Sequence, residues 1–148
     1  MSKPRQASLR WMSTGFALTL FLSAALLFVV QPLIGRLLLP LLGGAPGVWN
    51  TCMVFFQAAL LAGYLWAHLL VRYLPLRGQC LAHLGVLALA VAWLPVALPA
   101  GVSSTVPVGS DPTLWLLATL AVTVGLPFFG LSASAPLLQR WFSLSGQQ

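Results

Sequence analysis

The sequence predicts an all-α, polytopic membrane protein, and this prediction depends on its composition and on the lengths of its apolar runs. Of the 148 residues, 59% are hydrophobic and only 5% are charged, and the mean hydropathy is +0.96. A soluble domain has about a quarter of its residues charged, because its surface faces water. A membrane-spanning helix needs about 20 apolar residues, and four runs close to that length occur. We therefore expect about four transmembrane helices.

The first predicted span follows a short basic segment and is interpreted as an uncleaved helix. Its apolar run is longer than the h-region of roughly 7 to 15 residues that precedes a signal-peptide cleavage site. Gln31 and Pro32 lie close enough to its end to be solvated or to break the helix there. The four spans are residues 14–34, 48–71, 81–98 and 114–138, with a basic cytoplasmic N-terminus at 1–13 and a cytoplasmic tail at 139–148.

The other three spans differ in length and regularity. The second has Trp49 at one end and Tyr73 just past the other, as expected for aromatic side chains at the two membrane interfaces. The third is shorter and carries Pro95 near its end. The fourth is long, and Pro127 and Pro136 predict kinks or tilt within it.

The basic residues predict how the four spans are oriented. Lys and Arg in short connections stay on the cytoplasmic side. If the four helices alternate in direction, six basic residues fall on one side, and we therefore expect both chain ends to be cytoplasmic (N-in/C-in). These residues are Lys3, Arg5, Arg10, Arg72, Arg77 and Arg140, and Arg36 is the exception.

The composition also argues against several classes of function. Asp111 is the single acidic residue, so the paired carboxylates of acid–base catalysis are absent. Cys52 and Cys80 form no C-x-x-C motif, and the seven basic residues are scattered between apolar runs rather than clustered as in nucleic-acid-binding surfaces. The glycine-rich segment 42–47 lacks the G-K-[ST] end of a phosphate-binding loop. We assign no catalytic, cofactor-binding or metal-binding residues.

A polar stripe on the second span is the clearest candidate for a functional feature. At about 100° per residue, spacings of 7, 7 and 4 place four polar side chains within about 40° of one another. They are Asn50, Gln57, Tyr64 and His68. The functional interpretation is a small-molecule or proton path, with His68 titrating near neutral pH. The alternative is hydrogen bonding between helices, worth roughly 0.6 to 2 kcal/mol per contact.

Arg36, Asp111 and His83 each have two interpretations. Arg36 either contacts an anionic substrate or a lipid phosphate, or extends its head group to the far interface. Asp111 either pairs with Arg36 or, followed by Pro112, caps the start of a helix, and we favour the cap. His83 opens the third span near Arg77 and is expected at the interface rather than in a catalytic role.

Two stretches, residues 21–68 and 124–142, resemble the N-terminal membrane region of bacterial fused spermidine synthase-like proteins. In that family a transporter-like, multi-helix membrane region precedes a soluble Rossmann-like aminopropyltransferase or methyltransferase-like domain. The most specific matching segments are Gln31-Pro32, LPLLGG at 39–44, VWNT at 48–51 and APLLQRW at 135–141.

The resemblance implies a membrane module and not the enzymatic activity. The glycine-rich loop and the acidic residues that would bind a nucleoside cofactor belong to the soluble domain and are not in this sequence, so the chain looks like a truncated or split member. We expect a non-catalytic anchor or transporter-like segment of a bacterial inner membrane, with no cofactor. Expected partners are the lipid bilayer and further helices, a soluble synthase-like domain or a homo-oligomer. The alternative is a small, self-contained transporter that acts as an oligomer.

Overall fold

The computed structural model of the chain describes residues 3–42, 46–94 and 111–145, and these are almost entirely helical. No strand occurs in these three segments, so the predicted all-α class is confirmed. The elements are α1 (Lys3–Leu42), α2 (Pro46–Tyr73), α3 (Leu76–Ala92), α4 (Pro112–Leu120), a π-helical turn (Ala121–Gly125) and α5 (Leu126–Ser145).

Three helical segments are long and apolar enough to cross a membrane, as expected for a membrane protein. They are Ser13–Arg36, Pro46–Tyr73 and Pro112–Leu144, and they contain most of the first, second and fourth predicted spans. α3 has 17 residues, or about 26 Å at 1.5 Å per residue, against a hydrocarbon core of roughly 30 Å. A fourth crossing therefore stays a prediction. Residues 95–98 of that span, with Pro95, lie outside the described residues, as do residues 43–45 and 99–110 of the connections on either side of α2 and α3.

α1 continues past the point where the sequence suggested a break. Its helix includes Gln31 and Pro32 and ends at Leu42. A proline removes one helical hydrogen bond, but away from water the neighbouring backbone groups have no better partner than the helix itself. The expected break at Gln31-Pro32 is therefore wrong, and the end of the first predicted span at residue 34 falls inside α1.

α5 is the central helix of the bundle, since it packs against α1, α2 and α3. Phe56 of α2 and Phe128 of α5 meet with ring centroids 4.9 Å apart. Farther along the same two helices, Ala67 and Leu70 enclose Leu137. The larger buried cluster draws on four helices and the π-helical turn and contains Ile34, Cys52, Phe56, Leu116, Leu120, Val124 and Phe128.

Side-chain contacts show that α1 runs opposite to α2 and α5 and that α3 runs opposite to α5, whereas α2 and α5 run parallel. At one end of the bundle the rings of Phe16 and Phe142 lie 5.2 Å apart, and Trp141 donates a hydrogen bond to Gln79 near the start of α3. At the other end, Gly35 lies against the ring of Trp49. The beginnings of α1 and α3 and the end of α5 therefore share one end of the bundle.

The irregularity expected of the fourth span is a π-helical turn just before Pro127. Proline has no N–H to donate, so the Val122 carbonyl, five residues earlier, cannot receive a π-helical hydrogen bond from it. The indole N–H of Trp93, just past the end of α3, donates to this carbonyl at 2.7 Å. A side chain of one helix thus satisfies a backbone acceptor that the proline leaves open in another.

The closest approach of α2 to α5 depends on a glycine. A Cβ atom on Gly63 would collide with the hydroxyl of Ser132 and would lie 3.0 Å from the backbone nitrogen of Ala133. Ser132 is fully buried, and its hydroxyl donates to the Phe129 carbonyl at 2.8 Å. Small residues permit this kind of close contact between membrane helices.

We predict that Gly63→Ala destabilises the bundle although alanine is the better helix former. The added methyl group forces α2 and α5 apart, at a typical overpacking cost of ~1–3 kcal/mol. Gly85→Ala is the matched control, because nothing lies within 4 Å of a Cβ at that position. Unfolding in detergent measures both changes, and equal stability of the two variants would contradict the packing argument.

We also predict that Trp93→Phe destabilises the contact between α3 and the π-helical turn. The ring is retained but the donor to the Val122 carbonyl is lost, which costs ~0.5–1.5 kcal/mol. Trp11→Phe, at a tryptophan that is 79% exposed, is the control. Backbone hydrogen exchange at residues 121–126 should speed up in the Trp93 variant only.

Candidate functional site

The polar stripe of α2 lies on the outside of the bundle. Asn50, Gln57 and His68 are exposed, and Tyr64 is 47% exposed. The residues of α2 that are buried against other helices follow a different line, about 120° away at 100° per residue. This buried line consists of Cys52, Phe56, Gly63, Ala67 and Leu70.

This placement bears directly on the two interpretations of the stripe. The four side chains share one face of α2, as their spacing predicts, and that face is directed away from the buried line of α2. A path through a single copy of the chain would need these side chains inside the bundle. Their exposure instead leaves them available to a neighbouring membrane helix or to a second copy.

Arg36 lies within α1, and Asp111 lies at the start of α4. Arg36 is exposed and lies two residues beyond the predicted end of the first span, a position from which a long side chain can reach the interface. Asp111 caps α4, accepting hydrogen bonds from the backbone of Thr113 at 2.7 Å and of Leu114 at 3.4 Å. Pro112 follows as the first residue of that helix. The predicted cap is confirmed.

A buried polar cluster that sequence reasoning missed joins α3 to α5. We call it the His83 cluster, and it consists of Gln79, His83, Ser134 and Trp141. His83 is only 4% exposed and lies between α3 and α5, while its expected position at the membrane interface stays a prediction. Its Nε2 lies 3.0 Å from the Ser134 hydroxyl, and its ring stands edge-on to Trp141 at 6.3 Å.

The hydrogen bonds of Ser134 define the protonation of the imidazole. A serine hydroxyl has one proton, and Ser134 donates it to the Gly130 carbonyl at 2.9 Å. The same oxygen must then accept from Nε2–H of His83. In a neutral imidazole the other nitrogen, Nδ1, is an acceptor. Nδ1 of His83 is buried and has no hydrogen-bond partner among the described residues.

Gln79 connects the same cluster to the turn between α2 and α3. Its amide nitrogen donates to the Leu74 carbonyl at 2.9 Å, and its amide oxygen accepts from the indole of Trp141 at 3.0 Å. Both ends of the amide are therefore used. This arrangement fixes the start of α3 against the last turns of α5.

A sequence signal for this cluster did exist. Gln79 and His83 are four residues apart on α3, and Ser134 and Trp141 are seven apart on α5, so each pair lies on one helical face. Gln79 and His83 lie near the start of an apolar run, which suggested the interface. Only the pairing of the two helices shows that these residues are buried.

No protein-family model, no curated protein and no solved structure matches this chain. The resemblance to the membrane region of fused spermidine synthase-like proteins therefore stays a prediction.

We predict measurable coupling between His83 and Ser134. In a double-mutant cycle of His83→Phe and Ser134→Ala, the coupling energy should be about 0.6 kcal/mol, the average for hydrogen bonds between membrane helices. Thr113→Ala, at the start of α4, replaces Ser134→Ala in the control cycle and should show no coupling to His83. Unfolding in detergent provides the free energies, and zero coupling in both cycles would contradict the hydrogen bond.

Proposed function

We propose that the chain is a non-catalytic, multi-pass membrane module that docks a further membrane helix against the polar stripe of α2. The exposure of the stripe is the observation that carries this proposal. Hydrocarbon offers no hydrogen-bond partner to Asn50, Gln57 or His68, and an unpaired polar group in an apolar medium is unfavourable. A neighbouring helix with polar groups at matching heights lowers that free energy.

The proposed topology has four antiparallel crossings with both chain ends in the cytoplasm of a bacterial cell. The position of most basic residues at one end of the bundle supports it. Arg72, Arg77 and Arg140 lie near the contacts of Gln79 and Trp141, at the end of the bundle where α1 begins. Positively charged connections stay on the cytoplasmic side, so this end is assigned to the cytoplasm. α3 is then a short crossing.

The partner in this proposal is a membrane segment of a larger assembly, as the resemblance to fused synthase-like proteins implies. A soluble synthase-like domain would be supplied by that assembly. The chain contributes anchoring and helix contacts, while any chemistry belongs to its partner. Arg36, at the opposite end of the bundle from Arg140, contacts lipid headgroups.

The second candidate is a small transporter formed by several copies of the chain. The same observation favours it, because stripes on the outer faces of several copies can meet and line a shared path. The two candidates differ in the identity of the helix that covers the stripe. A cross-link from this face therefore distinguishes them.

The test is photocross-linking in membranes of cells that produce the chain. Benzoylphenylalanine replaces Leu61, which is 69% exposed beside the stripe, or Leu89, which is 61% exposed on α3 and serves as the control. We expect a protein adduct at position 61 and mainly lipid adducts at position 89. The double variant Gln57→Leu/His68→Leu lacks two hydrogen bonds of ~0.6 kcal/mol each. Its association with the neighbouring helix should therefore be roughly eightfold weaker.

The mass of the adduct separates the candidates. A cross-link to a different membrane protein supports the anchoring module, and an adduct of two 15.8 kDa chains supports the oligomeric transporter. Lipid adducts alone at position 61, or protein adducts that persist unchanged in the double variant, would overturn the docking proposal.

A further inference from the structure

Two cavities between α1, α3 and α5 meet and differ in chemistry. The first, of about 350 Å³, is lined by six polar or aromatic residues and four leucines. The polar and aromatic residues are Thr19, Ser23, Cys80, His83, Ser134 and Trp141. The second, of about 400 Å³, is lined only by apolar residues. Leu87 and Leu131 line both cavities, so the two adjoin.

The polar cavity has unused hydrogen-bonding capacity. Nδ1 of His83 is buried and has no hydrogen-bond partner among the described residues. Ser23, which is only 7% exposed, lines the same cavity. A ligand hydroxyl that donates to Nδ1 of His83 and accepts from the Ser23 hydroxyl would supply the missing partner.

Charge and depth exclude an ionic head group. Neither cavity is lined by Lys or Arg, so a phosphate or carboxylate would have no counter-charge. Thr19 and Ser23 lie five and nine residues beyond residue 14, where the predicted first span begins, which corresponds to depths of about 8 and 14 Å. A charged group at such depth is strongly disfavoured.

The apolar cavity has the shape and environment of a site for a hydrocarbon tail. Between Thr19 and Ile34 of α1 the two cavities extend for about 22 Å at 1.5 Å per residue. One leaflet of a bilayer is roughly 15 Å thick. The groove is therefore long enough to hold a single hydrocarbon chain that spans one leaflet. Leu26, Leu33 and Val91 line the apolar cavity and are about half exposed or more, which leaves a lateral opening to lipid.

We propose that this composite groove binds an uncharged, single-chain amphiphile with a hydroxyl head group. The hydroxyl lies at His83 and Ser23, and the tail passes Leu87 and Leu131 into the apolar cavity. A long-chain aliphatic alcohol and a prenylated hydroquinone share this chemistry. The groove is separate from the polar stripe, so this proposal does not depend on the docking of a helix to α2.

The test uses a long-chain alcohol with a diazirine in its tail and the purified chain in lipid nanodiscs. Peptide mapping should find the label in 26–34, 87–94 and 127–131. Hexadecanol or a prenylated hydroquinone should displace the probe. The compound that competes at the lower concentration indicates whether the ligand is an aliphatic alcohol or a hydroquinone. Hexadecane should compete at least about threefold less well, since it lacks the hydrogen bond that the head group makes.

Two tryptophan variants separate groove binding from adhesion to the protein surface. Leu87→Trp blocks the junction of the cavities and should reduce labelling at least about tenfold, while Leu89→Trp, on the exposed face of α3, should leave it unchanged. Ser23→Ala should weaken binding about threefold. Unfolding temperatures check that the variants fold.

Three results would overturn the proposal. Equal competition by hexadecane would remove the role of the head group, and equal labelling of the Leu87 and Leu89 variants would place the probe on the surface. Cross-links that join two chains through the groove residues without the probe would show that a second copy covers the groove. If Leu87→Trp does not fold, the comparison of hexadecanol with hexadecane still decides.

Discussion

The packing of α2 against α5 at Gly63 is the contact on which the rest of the bundle depends. α5 touches α1, α2 and α3, so its distance from α2 also sets where the other helices lie. Lipid tails are as apolar as leucine side chains, and helices in a bilayer therefore associate through close packing and hydrogen bonds rather than through a hydrophobic driving force. The contact between Gly63 and Ser132 provides that closeness, and the His83 cluster, which includes Ser134 two residues further along α5, adds the hydrogen bonds.

The same physical setting explains the two places where α5 and its surroundings depart from regular geometry. Pro127 removes a donor that water would replace in a soluble protein. In a bilayer the replacement comes from the protein itself, here the Trp93 indole. Gln79 has a comparable role at the opposite end of α3, where its amide satisfies the Leu74 carbonyl and binds Trp141. Both ends of α3 are thus joined to the continuous α4–α5 segment by single side chains.

Composition and run length predicted the helical class, the positions of three long apolar helices and the cap at Asp111, because each of these depends on local sequence. The shared face of Asn50, Gln57, Tyr64 and His68 was also predictable from helical spacing. Whether that face points inward or outward was not predictable, because it depends on which side of α2 meets α5. The burial of His83 was missed for the same reason: one helix cannot reveal the polar residue that a second helix brings to it. The continuation of α1 through Pro32 reflects the surroundings of the helix rather than the propensity of its residues.

The central position of α5 has a consequence for biosynthesis. α5 is the last helix of this sequence to leave the ribosome. The three helix pairs that organise the bundle, α1–α5, α2–α5 and α3–α5, all involve it. At about 5 to 20 residues per second, α1 and α2 wait several seconds in the membrane before their main packing partner is synthesised. During that interval the small-residue face of α2 at Gly63 is as uncovered as its polar stripe. The main packing contacts of α1 and α2 can therefore form only after α5 has been synthesised.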